Sequence, residues 1–135
     1  MTSAINKGDV VEILKEMPVE EPGFLRRYLF RGEHMACLYS QMQPGVDSRK
    51  LPESYRKHDN EEIVYVLQGC LEYEDGRVVK AGMVTINHPG KAHGARVVGD
   101  TPVISFVVHA PPPERFDDPE MINNFRGYHE KRDKY

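Results

Sequence analysis

Short apolar and alternating runs, bounded by turn residues, dominate the pattern of this chain. The runs are rich in Val, Ile, Tyr and Phe, which is typical of β-strands. Ten prolines and eleven glycines separate them. The pattern predicts strands at residues 10–14, 24–30, 34–42, 63–67, 70–73, 78–79, 83–86, 95–98 and 103–109.

Turn and helix signals predict how the strands are connected and how the chain ends. Asp75-Gly76 predicts a tight hairpin turn at residues 74–77, because glycine readily adopts positive φ. Helix is scarce: only residues 119–125 are expected to form a turn or two, and residues 126–135 have the composition of a charged tail. Many short strands at regular spacing predict an all-β sandwich or barrel.

Size and charge narrow the class of protein. At 135 residues the chain is expected to form one domain, and its net charge of −3 with dispersed Lys and Arg disfavours nucleic acid or an anionic membrane as partner. The sequence shows no signal peptide and no apolar run of about 20 residues, so a cytoplasmic location is predicted. Cys37 and Cys70 do not make a disulfide framework, and we expect two buried thiols.

Candidate chemistry begins at an imidazole and a carboxylate four residues apart, His58 and Glu62, which lead into an apolar run. Alternate residues of a strand face the same side. If Val64 and Val66 line the barrel interior, the same parity predicts that Arg56, His58 and Glu62 also point inward.

A second imidazole, His93, follows the Pro89-Gly90 turn and is expected to begin the next strand. An adjacent antiparallel strand would bring it close to His58 and Glu62. Two imidazoles and one carboxylate suit a divalent metal ion, with Fe, Mn, Co, Ni and Zn all compatible. We therefore predict a metal site of His58, Glu62 and His93.

These two stretches resemble the two cupin motifs. The first motif is usually written G-x5-HxH-x3,4-E-x6-G, and here His58 is followed after three residues by Glu62 and after six more by Gly69. The second is usually written G-x5-PxG-x2-H-x3-N.

The second stretch runs from Gly82 through Pro89-Gly90 to His93. The resemblance implies a cupin-type jelly-roll β-barrel with a short C-terminal helical or irregular tail. It also implies a single domain over residues 1–135, with the barrel core at about residues 24–113 and the tail at 114–135, and a homodimer formed through outer sheet faces.

Several motif positions differ from the family pattern. Arg56 replaces the first motif histidine, His88 replaces the first proline of the second motif, and Val97 replaces its closing asparagine. Arg56 is either a fixed cation that orients an anionic substrate or the partner of Glu61 or Glu62 in a salt bridge that has replaced the metal. His88 is an alternative fourth ligand.

Two main functions follow from the resemblance. The first is a metal-dependent enzyme with oxygenase, isomerase or lyase chemistry on a small polar or anionic molecule, with the metal on His58, Glu62 and His93 and with Arg56 as catalytic residue. The alternative is a non-catalytic ligand-binding or sensor cupin, with or without metal, in which Arg56 binds an anion. A third reading is a purely structural oligomer with a packed interior.

Overall fold

The computed structural model describes residues 24–51 and 53–112, which form eight β-strands and two short helical segments. The strands are β1 (Phe24–Arg31), β2 (Ala36–Met42), β3 (Glu61–Gln68), β4 (Cys70–Tyr73), β5 (Val78–Lys80), β6 (Val84–Asn87), β7 (Ala95–Val97) and β8 (Val103–Ala110). A 3-10 turn at Ser48–Lys50 and the helix α1 at Glu53–Arg56 lie between β2 and β3. The all-β prediction is confirmed.

Each apolar run predicted between residues 24 and 109 coincides with one of these strands. The predicted strand at 10–14, the helical turn at 119–125 and the charged tail lie outside the described residues. The single-domain boundaries stay a prediction. Neither helical segment in the described part of the chain has the length or apolar character needed to cross a bilayer.

The strands form two antiparallel sheets. One has five strands in the order β1-β2-β8-β3-β6, and the other has three in the order β5-β4-β7. Within the larger sheet β3 lies between β8 and β6, so that Glu62 stands opposite His109 on one side and Asn87 on the other. Directly opposed residues on one face of a sheet have neighbouring side chains. The register therefore places three polar side chains in one row.

The core consists of the inward faces of both sheets. In β3 burial alternates strictly from Glu61 to Val66, with the even-numbered residues buried. This confirms that Val64 and Val66 face inward and that Tyr65 faces outward. The buried apolar cluster comprises Ala36, Leu38, Met42, Val64, Val66, Leu71, Tyr73, Val79, Ala95, Val97, Val103 and Val107.

Two glycines occupy positions that a side chain would disturb. Gly76 has φ +92° in the turn between β4 and β5, which confirms the predicted hairpin. Gly69 has φ +85° where the chain passes from the larger sheet to the smaller one, and an added Cβ would lie 2.9 Å from the Pro102 carbonyl oxygen. Glycine is therefore required at this crossing for both its backbone conformation and its lack of volume.

The outer face of the larger sheet carries exposed apolar side chains. Ile63 of β3 stands opposite Ile86 of β6, and Tyr65 opposite Val84. Ile63, Val84 and Ile86 are 43%, 59% and 49% exposed. Contiguous apolar patches of this kind are uncommon on the free surface of a soluble protein.

Candidate metal centre

Two connecting segments, rather than strands, bring His58 and His93 together. His58 lies between α1 and β3, and His93 lies between β6 and β7. The backbone N–H of His93 donates to the Arg56 carbonyl at 2.9 Å, and the N–H of Gly90 donates to the His58 carbonyl at 2.9 Å. These two hydrogen bonds join the segments side by side. The imidazole centroids of His58 and His93 are consequently 4.5 Å apart, with the rings nearly perpendicular.

The prediction that His58 and His93 lie in strands is wrong for both residues. Since β3 begins at Glu61 and α1 ends at Arg56, the parity argument holds for Glu62 but not for Arg56 or His58. Likewise β7 begins at Ala95, so His93 precedes the strand and does not open it. Asn60 helps to fix the turn into β3, because its side-chain amide donates to the Pro111 carbonyl beyond the end of β8.

Glu62 lies at the centre of the row of polar side chains and is buried. Its Oε1 accepts a hydrogen bond from Asn87 Nδ2 at 3.0 Å. Its Oε2 lies 3.7 Å from His93 Nε2 and 3.5 Å from His109 Nδ1. Burial alone would raise the pKa of Glu62, but the imidazoles of His109 and His93 and the Asn87 hydrogen bond hold it below its usual value. The carboxylate therefore stays ionised.

The three predicted ligands meet in space. One donor atom each from His58, Glu62 and His93 lies within 4.8 Å of the others. Imidazole nitrogen and carboxylate oxygen bind Zn, Fe, Mn, Co and Ni at about 2.0–2.2 Å, so a small inward movement of the side chains would close this group around one ion. A buried carboxylate facing two imidazoles is also a setting in which a dication compensates lost hydration. The residues present fit a divalent metal.

Comparison with known proteins shows the family. A family model described as the cupin domain matches residues 39–109, which is more than half of the chain. The chain belongs to the cupin family. No curated protein sequence matches it.

Solved structures show the same cupin jelly-roll fold. KdgF from a Halomonas species is 17% identical with a TM-score of 0.62, covering 75% of this chain and 90% of that one. An RmlC-like cupin from Shewanella frigidimarina is 23% identical with a TM-score of 0.62, covering 75% and 87%. A double-stranded β-helix protein from Klebsiella pneumoniae, described as uncharacterised, is 23% identical with a TM-score of 0.63, covering 82% and 91%. At these identities the likeness shows the fold of this cupin and not its chemistry.

Arg56, two residues before His58, is bound by groups outside the three donors. Its Nη1 donates to both carboxylate oxygens of Glu74, at 3.0 and 2.7 Å, and its Nε donates to the Leu51 carbonyl at 2.9 Å. The salt-bridge partner is therefore Glu74, not Glu61 or Glu62. The role of Arg56 in orienting an anionic substrate stays a prediction.

The other histidines among residues 24–51 and 53–112 fall into two groups. His34 and His88 are exposed, and within the described residues the group of converging donor atoms includes neither of them. His109 is buried, and its Nδ1 lies 3.1 Å from Asn60 Nδ2 as well as 3.5 Å from Glu62 Oε2. It borders the site without joining the three donors.

Sequence reasoning missed the polar neighbours of Glu62, because no motif points to His109 or Asn87. Their importance follows from strand register, which places both directly opposite Glu62. Tyr73 also belongs to this surrounding: burial and the charge of Glu62 raise its pKa to about 12. One sequence signal could have indicated His109: it has the same parity as Val103 and Val107 in its strand, and both of these valines face inward.

Proposed function

We propose that this cupin is a metal-dependent enzyme acting on a small polar or anionic molecule, with His58, Glu62 and His93 holding one divalent metal ion. The observation that carries the proposal is the convergence of three donor atoms within 4.8 Å around a buried carboxylate. Three protein ligands are the set found at catalytic metal centres, which keep positions open for water or substrate.

The roles of the residues follow from their chemistry. Glu62 supplies the negative charge, and the two imidazoles supply neutral nitrogen ligands from connecting segments at one end of the barrel. A metal bound there would contribute Lewis-acid or redox chemistry to a molecule in the site. Oxygenase, isomerase and lyase reactions are all compatible with this donor set, and the fold does not choose among them.

One observation favours the alternative of a ligand-binding or sensor cupin. The position of the first motif histidine is occupied by Arg56, and the loss of a fourth ligand weakens metal retention. In that case the protein would bind a small anion without turnover. Metal content separates the enzyme from the metal-free form of this alternative, because an anion-binding cupin without metal keeps its ligand affinity in the presence of a chelator.

The test is elemental analysis of protein purified without a polyhistidine tag or chelator, with the variants His58→Ala and His93→Ala. His88→Ala is the matched control, because it removes an exposed imidazole close to His93 in the chain. We expect close to one equivalent of metal in the wild type and in the control, and far less than one equivalent in the other two variants, because each lacks one of the three donors.

Absence of bound metal after reconstitution with Fe, Mn, Co, Ni and Zn would contradict the metalloenzyme proposal. Equal metal content in all three variants would place the metal elsewhere. Iron would direct activity screening towards oxygenation, and manganese, nickel or zinc towards isomerase or lyase reactions.

A further inference from the structure

Arg77 links the two sheets through a set of hydrogen bonds outside the three metal donors. It follows the hairpin turn of the smaller sheet and reaches β6 of the larger one. Its Nη1 donates to Thr85 Oγ1 at 2.6 Å and to the Ile86 carbonyl at 3.1 Å, and its Nη2 donates to Asn87 Oδ1 at 2.8 Å. The guanidinium carbon lies 4.4 Å from the centroid of the Tyr73 ring. The guanidinium plane is therefore constrained from several directions.

Asp75 constrains the other edge of the same guanidinium. Its two carboxylate oxygens accept from Arg77 Nε at 2.9 and 2.7 Å, and Oδ1 also accepts from the Arg77 backbone N–H at 3.1 Å. The ion pair is only partly shielded, since the two side chains are 33% and 52% exposed. Exposed pairs contribute little to stability. The contacts are better explained by orientation of the guanidinium than by stabilisation of the fold.

The bond from Arg77 determines which end of the Asn87 amide faces Glu62. Asn87 Oδ1 accepts from the guanidinium, so its Nδ2 is directed to Glu62 Oε1 at 3.0 Å. A reversed amide would place N–H groups against the guanidinium and a carbonyl oxygen against the carboxylate. Both contacts would be repulsive. They would also be poorly relieved by water, because Glu62 is buried and the Arg77 side chain is partly buried. Arg77 thus makes Asn87 an obligatory donor to Glu62.

We infer that Asn87, oriented by Arg77, is a positioning residue that occupies Oε1 of Glu62 and leaves Oε2 alone to bind the metal. This inference rests on the proposed metal centre. Oε2 is the oxygen that faces His93, at 3.7 Å from its Nε2. A carboxylate that binds through one oxygen uses one coordination position instead of two. The arrangement keeps an additional position open for a small molecule.

The test is titration of the metal-free protein with Co(II), followed by visible absorption. Co(II) bands report affinity, and at saturation they report coordination number, since sites with fewer ligands absorb more strongly. Asn87→Ala removes the donor to Oε1 directly. Arg77→Ala removes the orienting group at a partly exposed position without touching Glu62. Arg96→Ala is the matched control, because it breaks an arginine–glutamate pair on the outer side of the same sheet, with Glu72.

We expect Asn87→Ala to lower Co(II) affinity by about 10- to 100-fold, the usual effect of losing a group that orients a ligand. At saturation the absorption should weaken as both oxygens of Glu62 reach the metal. Arg77→Ala should shift affinity and spectrum in the same direction by a smaller amount. Arg96→Ala should match the wild type, and thermal unfolding of the metal-free proteins establishes that each variant is folded.

The outcomes distinguish failure of the positioning role of Asn87 from failure of the metal centre itself. Wild-type affinity and spectrum in both Asn87→Ala and Arg77→Ala would overturn the inference and leave the metal centre intact. The same holds if affinity falls in proportion to stability while the spectrum at saturation is unchanged, because a merely structural role would act in that way. A wild-type protein that binds no Co(II) would overturn the metal centre and the inference together.

Discussion

Substituting Gly94 by alanine tests how the segment that carries His93 is held. Gly94 is buried beside the 3-10 turn, and its carbonyl accepts from the Glu74 backbone N–H at 2.9 Å. A Cβ at this position would lie 2.7 Å from Arg49 Cα and 2.8 Å from Glu74 Oε2. The first contact is 0.7 Å shorter than the 3.4 Å at which ordinary contacts begin, and it is made by backbone.

The expected loss of stability combines two terms. Overpacking against a backbone that must move costs roughly 1–3 kcal/mol. The reduced entropy of the unfolded chain returns about 0.4–1 kcal/mol, because Gly94 does not have a positive φ that alanine would find strained. The two ranges leave a net loss of about 0–2.6 kcal/mol, centred near 1.3 kcal/mol. The central value corresponds to a fall in Tm of roughly 3–8 °C for a domain of this size.

Gly32→Ala is the matched control. Its backbone φ is also not positive, and its Cβ would meet the Phe30 ring at 2.9 Å. That ring is 49% exposed and can turn away, so the control should change stability by less than about 0.5 kcal/mol. Unfolding in urea or by heat measures both variants. Co(II) titration should show weaker binding for Gly94→Ala alone, because the displaced segment carries His93. A Gly94→Ala protein as stable as the wild type, with unchanged Co(II) affinity, would refute the reasoning.

Two further predictions concern the surface. Hydrogen bonds from Arg49 hold the pKa of Asp47 below its ordinary value of 3.8, so this carboxylate stabilises the fold above that pH and the contribution is lost as the pH falls through the lowered value. Asp47→Asn should therefore reduce the free energy of unfolding by up to about 1 kcal/mol near neutral pH. In an acid denaturation series the difference between variant and wild type should disappear. A constant difference at all pH values would contradict this prediction. The homodimer also stays a prediction: Ile86→Glu, on the apolar outer face of the larger sheet, should give monomers in sedimentation analysis, whereas Val78→Glu on the smaller sheet should not. A wild type that sediments as a monomer at micromolar concentration would refute it.

The sequence predicted the strands well because each is a short, strongly patterned run closed by turn residues. Burial alternates along β2 and β3 with the period of two that the residues indicate. The turn glycines at positions 69 and 76 have the positive φ that a tight connection requires. These signals are local, and each can be read without knowledge of the partner strand.

The site depended on contacts that are not local. His58, Glu62 and His93 converge in the structure, as their motif spacing predicts, yet the strand geometry used to join them was wrong. Backbone hydrogen bonds between two connecting segments hold His58 and His93 side by side. The neighbours His109 and Asn87 require the register of β3 against two strands distant in sequence. Side-chain parity predicts that a residue faces inward, but it does not predict which residue stands opposite.

Arg56 contacts the segment that carries His93 through both its backbone and its side chain. The carbonyl of Arg56 accepts from His93 N–H, and this bond depends on the backbone and not on the side chain. The guanidinium turns to Glu74, whose own N–H donates to the carbonyl of Gly94, the residue after His93. The side chain at position 56 thus anchors, through Glu74, the segment that carries His93. If His58, Glu62 and His93 hold the proposed metal, a set of three protein donors leaves coordination positions open for a small molecule, which suits a catalytic centre better than one closed by protein groups.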